Sequence, residues 1–198
     1  MGFLVSFSVV IFAKVIENFW LDSASRHADT INGLLQYLYI SMFDQESGHR
    51  ITFLAKPFRY SSYISPRYRF SHGEGNNVKS RSRFRKGSAV AGMAWEQPGE
   101  PNLILRKIPD FGDDKEKFLQ FLEKDLLLSL KEAERCVETT RNLRWILSYG
   151  IVSPFTGEFI GVLSIDSRYE QSLLKLDNKM IVNVAAIIAR TVASKNST

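Results

Sequence analysis

Hydrophobic residues recur along this chain with two different periods, and the places where the period changes mark its elements. Ile31, Leu34, Leu35, Leu38 and Met42 stand three or four residues apart behind the cap-rich run DSAS (Asp22 to Ser25), which predicts a helix from Arg26 to Phe43. The polar run DQESGH ends it. RITFLAKPF (Arg50 to Phe58) and YISPRYRFS (Tyr63 to Ser71) then read as two strands of a hairpin, with Pro57 and Pro66 marking edges or bulges. From His72 to Arg85 the composition turns to Gly, Asn, Ser and Arg, too polar to bury, and predicts a solvated loop closed by Lys86 and Gly87. Ser88 offers an N-cap to a short helix through Ala89, Val90, Met93 and Trp95. PNLILRKIPDF carries a short strand and a turn. Between Asp113 and Arg135, Phe118, Phe121, Leu122, Leu126 and Leu130 recur at helical intervals on a charged background, so one or two helices lie there. WILSYGIVS (Trp145 to Ser153) and EFIGVLSID (Glu158 to Asp166) are strong strands joined by PFTG, a second hairpin. A last helix is predicted from Asp177 to Ala193, with Met180, Ile181, Val184, Ile187, Ile188 and Val192 as its buried stripe. Helices alternate with hairpins instead of single parallel strands, so the class is α+β on an antiparallel sheet.

The N-terminal segment departs from this scheme. Met1 to Ala13 (MGFLVSFSVVIFA) is almost wholly apolar, yet it is shorter than the roughly 18 to 20 residues of a spanning helix, and Lys14, Glu17 and Asn18 interrupt its continuation. Val5, Val9, Phe12, Ile16, Phe19 and Trp20 share one helical face, so residues 1–22 read as an amphipathic segment for a membrane interface or a dimer contact, ahead of a domain over 23–198. It has no basic n-region and no small-residue cleavage site, which argues against a secretory leader. MGFLVS also fits the loose N-myristoylation pattern, with Ser6 as its hydroxyl residue.

Composition narrows the chemistry. One cysteine, Cys136, rules out an intrachain disulfide and points to a cytoplasmic setting, with membrane association through the N-terminus left open. The net charge of +5 favours anionic partners without specifying a fold. Much of it lies in Arg67, Arg69, Lys79, Arg81, Arg83, Arg85 and Lys86, which oppose only Glu74 and interleave with Tyr68, Phe70 and Phe84. Basic and aromatic residues in alternation can grip phosphates and stack on bases. The same pattern describes an edge strand with aromatics inward and charge in water. The solvated reading is preferred; an anionic partner is the alternative, and nucleic acid is not expected. His27, His49 and His72 are scattered, and none has a nucleophile or carboxylate at a spacing that implies a triad or a metal site.

Two segments resemble the GAF domain family. FRKGSAVAGMAWEQ (Phe84 to Gln97) is similar to the GAF stretch in which a basic or polar residue and Gly precede a small-residue helix ending in tryptophan. RWILSYGIVSPFTGEFIGVLSIDS (Arg144 to Ser167) resembles the central GAF hairpin, with Gly157, Gly161, Val162, Leu163, Ile165 and Asp166 matching a GxxxGVLxIDS-like strand. With the closing apolar helix, the likeness covers residues 26 to 195. It implies a GAF-like (profilin-like) antiparallel sheet of five to six strands, terminal helices packed on one face, and short helices and loops over the other. Between the sheet and that second layer it implies a pocket, which in this family takes cyclic nucleotides, tetrapyrroles, small acids or nothing, so no single cofactor is indicated.

Carried over position by position, the resemblance places Phe84, Ser88, Ala89, Trp95, Asp110, Phe111, Ser148 and Tyr149 at the pocket. A helix N-terminus at Ser88 would favour an anionic group, whereas Phe84, Trp95 and Tyr149 also read as core fillers. Cys136 falls near the region where light-sensing relatives attach a bilin, but no His follows it, and a buried, inert thiol is the reading preferred. The family's free-methionine-sulfoxide reductases use several cysteines, and one cannot form their resolving disulfide. Of the NKxxFxxxDE signature of cyclic-nucleotide regulators only Asn178 and Lys179 stand in order. The expectation is therefore a non-catalytic sensory or regulatory domain that binds a small molecule or a protein and signals through its terminal helices. Those helices would form a homodimer and address a downstream protein effector. The alternatives are an adaptor whose pocket is filled and a binder of anionic surfaces or nucleic acid through residues 67–86.

Overall fold

Alternation of apolar side chains along the strands is what organises this molecule into two layers on one sheet. The computed structural model describes residues 27–73, 82–99 and 102–193, the side chains of 138 and 139 excepted, and residues 1–22, Lys79 and Arg81 lie outside it. Along it run α1 (27–43), β1 (His49–Ala55), β2 (Tyr63–Phe70), β3 (Phe84–Arg85), α2 (Ala89–Glu96) and β4 (Leu103–Lys107). They are followed by α3 (Lys115–Lys124), α4 (Leu130–Thr140), β5 (Trp145–Val152), β6 (Phe159–Ser167), a 3-10 turn (Glu170–Lys175) and α5 (Asn178–Ala193). The sheet order is β3-β2-β1-β6-β5-β4, and each neighbouring pair is antiparallel. The two expected hairpins are present. Pro66 lies where the β1–β2 register slips, opposite Leu54, so its missing N–H falls at a bulge.

Register sorts the side chains into rows. Ile51 pairs with Ile165 and Ile165 with Leu147; Phe53 pairs with Leu163 and Leu163 with Tyr149. These residues share a buried core with Ile31, Leu35, Leu38, Tyr39, Met42 and Phe43 of α1 and with Ile181, Val184, Ala185, Ile188 and Ala189 of α5. Both terminal helices therefore cover one sheet face. On α5, the small residues Ala185 and Ala189 are buried where the sequence placed Ile187, which is exposed. Ile181, Val184 and Ile188 are buried as the pattern predicts, and Ile187 alone turns outward, because alanine carries little weight in a hydrophobic pattern yet fits where a helix lies close to strands.

On the opposite face, α2 packs against β5 through glycine. A Cβ at Gly150 would collide with the Ala94 carbonyl and Pro98, so only glycine admits the helix at this depth. Trp95 then closes a second small core with Leu54, Ile64, Ala94 and Val162 and stacks on Phe159 at 5.2 Å. The polar segment after His72 contains a strand that composition did not reveal: Phe84 and Arg85 pair with Ile64 and Tyr63.

Among apolar neighbours on the helix side sits one buried imidazole. His49 bonds through Nδ1 to Ser167 Oγ (2.8 Å) and stacks on Phe43 at 4.1 Å, while its Nε2 has no hydrogen bond and lies 3.5 Å from Glu46. Burial lowers its pKa; Glu46 and Asp166 pull it up, and Lys175 adds to the lowering.

Two expectations follow. Gly150→Ala should destabilise the protein by about 1–3 kcal/mol, read by urea unfolding, because α2 has to move off the sheet. Because the folded state holds His49 below the ordinary value of about 6.5, protonation favours unfolding, and stability should be full above that pH and fall as pH drops through the depressed value. His49→Phe, which keeps the ring on Phe43, should flatten that decline in a urea series across pH.

Candidate functional site

The sheet face away from α1 and α5 carries polar residues at positions where a two-sided core would want aliphatic ones. Arg50 pairs with Asp166 and Asp166 with Ile146; Thr52 pairs with Ser164 and, on its other side, with Arg69. Above these rows lies a cavity of about 80 Å³. On the scale where one water needs roughly 10–15 Å³, it has room for several waters or a small organic molecule. Its floor is Arg50, Thr52, Arg69, Ser164 and Asp166, and its roof is largely aliphatic: Val90 of α2, Leu122 of α3, Leu126 and Leu128 of the α3–α4 connection, and Leu143.

The floor is internally ordered. Arg50 Nε donates to Asp166 Oδ1 at 2.7 Å with both side chains largely out of water, and Arg69 Nε reaches Thr52 Oγ1 at 3.4 Å. Cys136 of α4 lines the cavity as well. Burial pushes its thiol pKa up, so it stays protonated at neutral pH. Among the described residues, no group of three or more His, Cys, Asp or Glu could hold a metal ion.

The roof is tied down at its two ends. The Ala89 N–H donates to the Leu126 carbonyl, which joins α2 to the α3–α4 connection. Both sides of that link are held in the left-handed region, Ala89 at φ 51° and Leu127 at φ 54°, a conformation that L side chains adopt at a cost. Phe111, Phe118 and Phe121 pack as an aromatic cluster that props α3. Arg85 of β3 bonds to Glu132, and the same carboxylate accepts from the Ser129 backbone N–H at the start of α4.

Of the eight positions expected at the pocket, Phe84 and Ala89 line this cavity. Ser88 is buried beside Ala89, its hydroxyl engaged with both the N–H and the C=O of Arg85 and making no cap bond to the amides of α2. Trp95 fills the small core beside the cavity. Asp110 is at the surface, paired with Arg144 at 2.7 Å, and Phe111 belongs to the aromatic prop. Ser148 bonds to Ser164 Oγ at 3.0 Å without lining the cavity, and Tyr149 faces the terminal helices. The basic residues disperse: Arg69 turns into the cavity, Arg83 lies 4.6 Å over the Tyr63 ring, Arg85 holds Glu132, and Arg67 and Lys86 face solvent. The lining that sequence reasoning missed had a signal, the alternating polar positions Arg50/Thr52 and Ser164/Asp166 inside otherwise apolar strands.

No protein-family model matches the chain, and no curated protein matches it. Solved structures do. A type II free methionine-R-sulfoxide reductase from Thermoplasma acidophilum matches at TM-score 0.55 and 12% identity, covering 87% of this chain and 96% of that one. The GAF domain of a two-component sensor histidine kinase from Bacillus halodurans matches at 0.51 and 19%, covering 85% and 94%. A protein described as the GAF domain matches at 0.51 and 12%, covering 83% and 76%. The chain thus has a GAF-like fold, as its two sequence motifs implied.

Leu127 is exposed and strained, so Leu127→Gly should raise stability by about 0.5–1 kcal/mol in urea unfolding, the relief of the left-handed backbone outweighing the added entropy of glycine.

Proposed function

We propose that this domain is a non-catalytic sensor or regulator that takes a small amphipathic molecule into the cavity and passes its occupancy to the terminal helices. The observation that supports this reading is the division of the cavity into a polar floor and an aliphatic roof. A ligand with a polar head would exchange hydrogen bonds with Arg50, Thr52 and Ser164, and its apolar part would lie under Leu122, Leu126 and Leu128. The sulfoxide reductase among the fold's neighbours is an enzyme, but Cys136 is the chain's one thiol, and a relay through a disulfide needs two.

The route out follows from parity. Floor residues and helix-bearing residues alternate on β1, β5 and β6, so pressure on one face is felt on the other. The terminal helices also carry exposed apolar side chains, Tyr37 and Ile40 on α1 and Ile187 on α5, which supports a second copy of this chain meeting them in a homodimer, with a protein effector downstream.

A thermal-shift screen of metabolite pools tests the cavity directly, since a ligand at a hundred times its Kd adds about 2.7 kcal/mol. Cys136→Leu, which grows a side chain into the cavity, should stay within about 1.5 kcal/mol of the parent and lose the ligand-induced shift. A shift that persisted in this variant would place the ligand elsewhere.

A further inference from the structure

Two hairpin tips at one end of the sheet carry side chains that the fold itself does not use. After β1 the chain exposes Phe58 by 62% and Tyr60 by 87%, and the β5–β6 turn exposes Phe155 by 68%. The tips are neighbours: Ala55 pairs with Gly161 at this end of the β1–β6 ladder, and the Arg59 guanidinium lies 3.4 Å from Glu158.

Cations accompany the rings. Arg67 donates to the Lys56 carbonyl at 3.1 Å, and the Lys56 ammonium donates to the Arg59 carbonyl at 3.4 Å while lying 5.1 Å over the Trp95 ring. Lys56, Arg59 and Arg67 are thus gathered beside the aromatics, and Glu158, held by Arg59, is the acidic side chain that these contacts bring in. The cluster keeps a positive surplus.

Single exposed apolar residues are ordinary, but three rings on two adjoining tips with cations between them form a different object. At a lipid interface, aromatic rings settle at headgroup depth, and Lys and Arg lay their stems along apolar matter while their heads meet phosphate. None of the three rings lines the ligand cavity. All three stand exposed on hairpin tips with cations beside them, a combination that an anionic lipid surface accepts without a matching pocket for each ring.

We propose that these tips dock on an anionic lipid surface, Phe58, Tyr60 and Phe155 entering the headgroup layer and Lys56, Arg59 and Arg67 facing the phosphates. The site is separate from the cavity and stands or falls without it. Sedimentation of the full chain with vesicles of phosphatidylcholine alone, or of equal parts phosphatidylcholine and phosphatidylserine, is the test. Binding to the anionic vesicles that weakens with salt is expected. Replacing Phe58, Tyr60 and Phe155 together by Ser should lower the partition at least about tenfold, and Lys56→Gln and Arg67→Gln should each lower it about fivefold. The thermal midpoint of the triple ring variant and of Arg67→Gln should not move, because Phe58, Tyr60, Phe155 and Arg67 are exposed. An environment-sensitive dye on Tyr60→Cys, with Cys136 buried and unlabelled, should brighten with anionic vesicles, a signal that residues 1–22 cannot produce by binding alone. The proposal is overturned if the triple variant binds like the parent, if the dye does not respond, or if the chain ignores vesicles and binds polyglutamate or an oligonucleotide instead.

Discussion

The register of the β1–β6–β5 ladder is the constraint on which the other features rest. Side chains alternate faces along a strand, so a slip of one residue would carry Arg50, Thr52, Ser164 and Asp166 into the core beneath α1 and α5 and turn Ile51, Phe53, Leu163 and Ile165 toward the cavity. The Arg50–Asp166 pair belongs to this constraint, because its partners stand opposite each other across the ladder. Separating two charges so far from water, or removing one of them, leaves an uncompensated ion, so the pair opposes slippage alongside the aliphatic rows.

The cavity exists where the roof stops following the floor. In the row Leu54–Val162–Gly150, the floor rises to meet α2: glycine lets the helix backbone down, and Trp95 fills the remainder. In the next two rows, Thr52–Ser164 and Arg50–Asp166, the cover is the first turn of α2 together with α3, α4 and the connection between them, supported by the Phe111 cluster and by Arg85 on Glu132. Those supports carry the roof without filling the space beneath it. Of the three left-handed non-glycine residues described, Ala89 and Leu127 flank the hydrogen bond that joins α2 to this part, at the edge of the cavity, and Asp44 lies at the end of α1.

Periodicity made the elements legible because it is local. The helix over 27–43, both hairpins and the closing helix can each be read from a dozen or so residues, and the two GAF-like motifs supplied the order in which they stack. The site was less legible because it is assembled from distant parts. In WILSYGIVS both parities are largely apolar, so the strand does not announce which face meets the helices, and Tyr149 was placed with Ser148 although consecutive residues point opposite ways. Arg69 and Arg67 share a parity in sequence, yet the bulge beside Pro66 separates their fates, one entering the cavity and one remaining in solvent. Leu126, Leu128 and Cys136 reach the cavity only because α3 and α4 fold back over the sheet, which no local pattern encodes. Strand β3 escaped notice for a related reason: two residues are too short for a period.

The proposed coupling between the two faces would have a specific place in this geometry. Arg50 and Asp166 face the cavity, while their chain neighbours His49 and Ser167, also paired across the ladder, face the helices. His49 stacks on Phe43 of α1, and Ser167 accepts from Ser172 of the turn that leads into α5, with Trp145 Nε1 bonded to the same Ser172 hydroxyl. A ligand that drew Arg50 away from Asp166 would therefore act on the two backbone positions that carry the polar contacts beneath both terminal helices. On the proposed reading, a shift in that buried network would fall on the packing of Phe43 and the Ser172 turn, where α1 and the approach to α5 meet the sheet.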